Sequence, residues 1–234
     1  MNIFETKNFE NQQSLLVYLK KIDSNYKQRM SSIDLFNIDT IFEWNENKKF
    51  YFASLLYHIR GHFIDFMWYL ANFTPDPTIK KIILDNISEE IGSNTIISHE
   101  MLYNNFAQEC GVNIHEEILQ QKHYEPFIRE FNTQHLQWIH DHDVDMGVSA
   151  FAAYERLDNI DYLFLLNLVN NLSLPSKALS FFNVHMYVKH FDATLDYILP
   201  IWQQDSNKII IACEFIYEHQ LHMWQQFSDY MQLC

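Results

Sequence analysis

Residues 181–192, FFNVHMYVKHFD, decide how this chain is read. The phenylalanines and valines mark an apolar helix, on which His185, Lys189 and Asp192 stand at i, i+4 and i+7. At about 100° per residue these offsets spread the three side chains over only about 60°. Two residue types able to ligate a metal thus point the same way from an apolar helix, where a charge or an imidazole needs a partner. For a lone histidine, a satisfied core imidazole is the commoner arrangement. Asp192 on the same face shifts the reading toward a ligand. His190 follows His185 five residues on, rotated by about 140°, and faces elsewhere.

Outward from this stretch, composition sets the class. The 234 residues suffice for one large domain with a full core, 1–234. Hydrophobic residues at 48% and aromatics at 16% supply that core and argue against disorder, while four glycines and five prolines are too few for a turn-rich all-β protein. A formal net charge of −14 excludes nucleic acid as an expected partner and disfavours an anionic membrane surface. Three cysteines without CxxC spacing (Cys110, Cys213 and Cys234) fit reduced thiols in a cytoplasm, and the N-terminus carries no signal-peptide pattern. The apolar run 50–73 is broken by His58, Arg60, His62 and Asp65, so it reads as a buried helix and not a membrane span.

Periodicity is helical almost everywhere. Helices are expected over 15–29, 47–72, 77–90, 96–110, 115–119, 124–139, 146–171, 176–199 and 207–233. Asp76 is a natural N-cap before Pro77, Gly92-Ser93-Asn94 interrupts the pattern, and Gly111 is a C-terminal stop. Residues 140–145 read as an acidic loop with His140 and His142 in solvent, and Pro200 as the end of a helix. The architecture is therefore a single all-α bundle of about seven to nine helices.

Within that frame Glu90 falls on the apolar stripe of its helix, with Ile79, Ile83 and Ile87, whereas Glu89 falls beside it. A glutamate there is costly unless paired or metal-bound. His99 lies nine residues on, half a turn out of phase, so the break at residues 92–94 is required if both meet one ion. Ser98 could equally cap a new helix at that point. Glu155 sits in the small apolar segment SAFAAYE, with a salt bridge as the bland alternative, and Asp158, Asp161 and Tyr162 follow it as supporting groups. His58, His62 and Asp65 repeat the i, i+4, i+7 spacing; a polar contact between helices is favoured slightly over a cavity wall. The pair His219 and His222 is a weaker signal.

At these segments the chain resembles the haem-oxygenase-like helical superfamily, which includes the TenA and PqqC proteins, the chlamydial CADD protein and the haem-oxygenase-like diiron oxidases. The resemblance runs from about Phe50 to the C-terminus. It rests on Asn86-Ile87-Ser88-Glu89-Glu90-Ile91-Gly92 with Ser98-His99-Glu100, on Ala153-Tyr154-Glu155-Arg156-Leu157, and on Phe181-Phe182-Asn183-Val184-His185. In the diiron members one helix gives a Glu and a His, a second a Glu, and a third His-x3-Asp/Glu-x2-His. By that likeness Glu90, His99, Glu155 and His185 match ligand positions. The interval from Glu90 to His99 is longer than in the family and implies an insertion or a bulge. Lys189 stands where the family has an acid, and Asp192 where it has the last histidine. A lysine ammonium there would repel a metal or, if neutral, have a depressed pKa.

The resemblance implies an iron-dependent oxidase or oxygenase. Glu90, His99, Glu155, His185 and Asp192 would hold one or two irons in the bundle core, since carboxylates with imidazoles suit iron(II). Tyr154 and Lys189 are the candidate catalytic groups, and His58, His62, Asp65, Asp158, Tyr162 and Lys189 the candidate cavity and supporting residues. Dioxygen and a small amine, amino acid or fatty acid are the expected partners, with no haem or nucleotide. The same fold also implies an alternative, a metal-free TenA-like thiamin-pyrimidine hydrolase using a cysteine and carboxylates. A third reading is a non-catalytic interaction protein, for which Lys189 is the best argument. The aromatic content is compatible with a homodimer.

Overall fold

The computed structural model describes residues 3–92, 97–187 and 191–234. Among these the chain forms helices and no strand. In order they are α1 (Ile3–Met30), α2 (Ile38–Ile41), α3 (Glu46–Arg60), α4 (Phe63–Phe73), α5 (Pro77–Ile91), α6 (His99–Glu109), α7 (Ile114–Gln120), α8 (Pro126–Asp141), α9 (Val144–Asn170), α10 (Ser180–Tyr187) and α11 (Phe191–Leu233). Short 3-10 turns occupy Asp34–Phe36 and Ser176–Leu179.

The central helix is α9, against which α10 and α11 pack, with α1 lying along α11. The run of small residues from Gly147 to Ala153 lets neighbours come close: a Cβ at Gly147 would stand 3.2 Å from Leu70 of α4. Phe52, Phe106, Phe151, Phe182 and Phe227 are fully buried around α9. Removing each from water contributes about 1.5–3 kcal/mol. This interior lets polar side chains on α5, α6, α9 and α10 meet away from bulk solvent. Among the described residues no helix is long and apolar enough to cross a membrane.

Several boundaries follow from local chemistry. Asp76 Oδ1 accepts from the Thr78 and Ile79 amides at 2.7 and 3.1 Å, capping α5 ahead of Pro77. Gly92, at φ +82°, closes α5 in a backbone conformation that glycine adopts without a Cβ penalty. Ser98 accepts from the Met101 amide at 3.1 Å and starts α6, so His99 is its first residue.

Other boundaries differ from expectation. The single helix expected over 47–72 is two, α3 and α4. At the junction the Gly61 amide bonds the Tyr57 carbonyl at 2.7 Å, and a Cβ on Gly61 would lie 2.8 Å from that oxygen. Glycine relieves this contact and re-aims Phe63 and Ile64. Pro200 does not end a helix, because α11 runs through it and bends at Asp205 (φ −153°, ψ 91°), whose carboxylate accepts from the Asn207 amide. The helix expected over 176–199 opens with a 3-10 turn, Ser176–Leu179, ahead of α10. Finally, α8 continues to Asp141, which places His140 on a helix, 3.2 Å from the Tyr69 hydroxyl.

Candidate metal centre

Three side chains converge from three helices. Glu90 comes from the last turn of α5, His99 from the first residue of α6 and His185 from α10. One ligand atom from each lies within 4.8 Å of the other two. His99 Nδ1 is 2.8 Å from Glu90 Oε1, and His185 Nε2 is 3.8 Å from the same oxygen. Because α5 ends at Ile91 and α6 starts at His99, the half-turn phase difference of an unbroken helix does not apply.

His185 is oriented for coordination. Its Nδ1 is 2.8 Å from the Phe181 carbonyl. A carbonyl can only accept, so Nδ1 carries a hydrogen, and Nε2 on the Glu90 side is the nitrogen that would serve as a metal ligand. The ring stacks on Tyr162 at 4.3 Å and 16°, and Asn159 donates to the His185 carbonyl at 3.1 Å. Rotamer and tautomer are thereby held before any ligand arrives.

The carboxylates differ in charge state. Burial pushes Glu90 up, but the His185 and His99 imidazoles beside it outweigh that and hold the group down at about 2. His99 is lowered by burial and raised more by the bond to Glu90, for a net upward shift. Glu155, only 4% exposed in the middle of α9, is pushed well up by burial and by repulsion from Asp158 and Glu90. Asn86 of α5 donates to it at 3.2 Å. Burial and the nearby Glu90 and Asp158 carboxylates thus disfavour the ionised form of Glu155, whereas the imidazoles favour that of Glu90.

A cavity of about 260 Å³ opens beside this group, with Tyr57, Arg60, Tyr103, Tyr154, Asp158, Tyr162 and Phe181 in its walls. Arg60 Nη1 donates to the Tyr154 hydroxyl at 3.0 Å and to Asp158 at 2.9 Å, while Nη2 donates to Asp161 at 2.9 Å. Tyr26 closes the network with a 2.6 Å bond to Asp161. Arg60 was visible in the sequence only as an interruption of an apolar run, and its two aspartates lie on another helix. Position 86 stood within the quoted motif, but nothing local marked its link to Glu155.

The remaining expected residues are dispersed. Asp158, Tyr162 and Tyr154 do line the cavity. Asp192 is exposed in the first turn of α11 and lies outside the Glu90 group. Lys189 and His190 lie outside the described residues. His58 is buried against Glu117 of α7 at 2.8 Å, the polar contact between helices weighed above. His62 pairs with Asp65 of its own chain segment at 2.9 Å. Both residues line a separate space of about 100 Å³, divided from the metal-side cavity by the Phe63–Tyr154 stack (4.0 Å, 11°) that belongs to both linings. His58, His62 and Asp65 are thus not among the described residues lining the cavity beside Glu90: His58 is on the α3 face that meets α7, and His62 and Asp65 line the smaller space.

The family described as iron-containing redox enzyme matches residues 51–206, two thirds of the chain and all three converging residues. The chain belongs to this family. No curated protein matches it. The chain is similar to a CADD-like protein of unknown function from Nostoc punctiforme PCC 73102. At 16% identity that structure covers 92% of this chain and 99% of its own, with a TM-score of 0.71. A domain of unknown function with a heme oxygenase-like fold from Shewanella denitrificans OS217 covers 94% of each chain at 13% identity, with a TM-score of 0.72. At such identities the likeness establishes the haem-oxygenase-like all-α fold and leaves activity to the site.

Proposed function

We propose that this protein is an iron-dependent oxidase or oxygenase of a small organic molecule, with Glu90, His99 and His185 holding iron(II). One carboxylate and two imidazoles form the donor set that suits non-haem iron(II) with open coordination positions. The observation that carries the reading is the convergence of Glu90, His99 and His185, one ligand atom from each within 4.8 Å of the other two, with the His185–Phe181 bond leaving Nε2 on the Glu90 side. Glu155 is the carboxylate that would extend the set toward a second iron.

Iron(II), when bound, supplies the electrons that reduce dioxygen. The chain supplies the rest. Glu90 contributes negative charge that offsets the cation, and His99 gives up the proton it shares with Glu90 so that both can coordinate. Tyr162 and Phe181 pack on His185 and keep its ring from turning. Arg60 fixes the Tyr154 hydroxyl at the cavity wall, where Tyr154 can hold a proton near the substrate. The aromatic walls limit water at the reacting end.

The cysteine-dependent hydrolase reading has less support. No cysteine is among the described residues lining the cavity, and burial pushes both Cys110 and Cys213 up to about 12. Such thiols are poor nucleophiles near neutral pH. Anaerobic loading with iron(II), followed by metal analysis of the wild type and of His185→Ala, tests the proposal. Retention of at least one iron by the wild type and its loss from the variant are expected. Trace metal in the wild type, or no difference between the two, refutes it.

A further inference from the structure

The cavity beside Glu90 has a chemically distinct outer end. Glu100, the exposed second residue of α6, stands at its rim, and Tyr57, Tyr103 and Phe181 form the adjoining wall. The Tyr57 and Tyr103 rings are 5.8 Å apart and tilted at 50°; Tyr103 and Phe181 meet edge to face at 4.9 Å. Glu100 interacts electrostatically with Tyr57. Ring faces carry negative potential, so a wall of this kind beside a carboxylate attracts an organic cation.

The same lining offers little to an anion. Among the described residues around the cavity, Arg60 is the only lysine or arginine. Its two terminal nitrogens are engaged by Tyr154, Asp158 and Asp161, and its Nε is sealed from solvent. A substrate carboxylate would therefore enter between Glu90 and Glu100 with the one guanidinium already committed. An ammonium would meet Glu100 and the rings directly.

We propose that the substrate is a protonated amine with an aromatic or apolar body. Its ammonium sits at the rim between Glu100 and Tyr57, and its body points toward the His99 and His185 imidazoles. This rests on the cavity being the substrate site, as in the proposed function, but not on a metal being bound.

Isothermal titration calorimetry on the metal-free protein at pH 7 tests it with matched probes: phenethylamine and tryptamine against 3-phenylpropionate and indole-3-propionate. The amines are expected to bind at least about tenfold more tightly than the carboxylates. Glu100→Gln, an exposed change, is expected to shrink that preference to within about threefold, and Tyr57→Leu to weaken amine binding several-fold while leaving carboxylate binding unchanged. Equal or tighter binding of the carboxylates, a preference unaltered by Glu100→Gln, or no detectable amine binding overturns the proposal. Iron loading is measured separately, which keeps the two readings distinguishable. Amine preference in a protein that takes no iron sinks only the metal assignment; iron uptake with carboxylate preference sinks only this one.

Discussion

Glu90 at the end of α5 and His99 at the start of α6 share a hydrogen bond of 2.8 Å. In the metal-free protein the site is therefore closed by a proton, and that proton competes with any cation. The upward shift of His99 sets the sign: His99 keeps its proton to higher pH than a free imidazole, so metal affinity rises as pH rises through its titration. Below that point the apparent affinity for iron(II) or cobalt(II) is expected to fall by about tenfold per pH unit for each proton displaced. Titration in two buffers of different ionisation enthalpy checks the proton release. Glu90→Gln, which removes the carboxylate, should lower affinity by at least about a hundredfold.

Asn86 joins the site from behind through its bond to Glu155. Groups that orient metal-site carboxylates typically contribute about 10–100-fold in affinity when removed. Asn86→Ala is expected to weaken metal binding within that range while leaving the helical circular dichroism intact. An affinity equal to that of the wild type would show that Glu155 stands outside the coordination chemistry.

Arg60 pairs with Asp161 in the protein interior, where the arginine is 8% exposed and the aspartate fully buried. Arg60→Met leaves Asp161 without its buried counterion, for an expected loss of about 3–5 kcal/mol in urea unfolding. Tyr26→Phe removes only the donor to Asp161, and about 1–3 kcal/mol is expected. The reverse ranking would place the weight of the network on Tyr26.

His58, His135 and His219 are all buried, and burial lowers the pKa of each. In the unfolded chain they protonate near 6.5, while in the folded chain they resist, so the unfolded state binds more protons as pH falls below that value. Their contribution to stability is complete above about pH 6.5 and declines toward their folded pKa values. Calorimetry from pH 7.5 to 5 should show a falling Tm. His135→Phe, which keeps a ring within the cage of Phe66, Phe131 and Tyr154, should flatten that slope. An unchanged slope would mean that the acid sensitivity comes from other groups.

Caps and stops were legible because their chemistry is local. Asp76 with Pro77, Gly92 and Ser98 each act on amides or dihedrals within a few residues, and each lies where the pattern put it. The break at Gly61 was not legible, because the apolar pattern runs through it and Gly61 itself keeps right-handed helical dihedrals (φ −65°, ψ −26°). His58 meets Glu117 and His62 meets Asp65, although their spacing matched that of the His185 stretch. Spacing reports which residues share a face; it does not report what the face meets.

By itself the sequence determined an all-α bundle, through periodicity and capping that depend on near neighbours. It also placed His185, Glu90 and Glu155 on apolar faces, where desolvation demands partners. Tertiary structure alone decided which partners those were. It brought His99 to Glu90 from a separate helix, gave Asn86 to Glu155, left Asp192 in solvent and tied Arg60 to Asp158 and Asp161. The reason is physical: hydrogen bonds and ion pairs act over a few ångströms of space, and residues far apart in the chain come within that range only when helices pack.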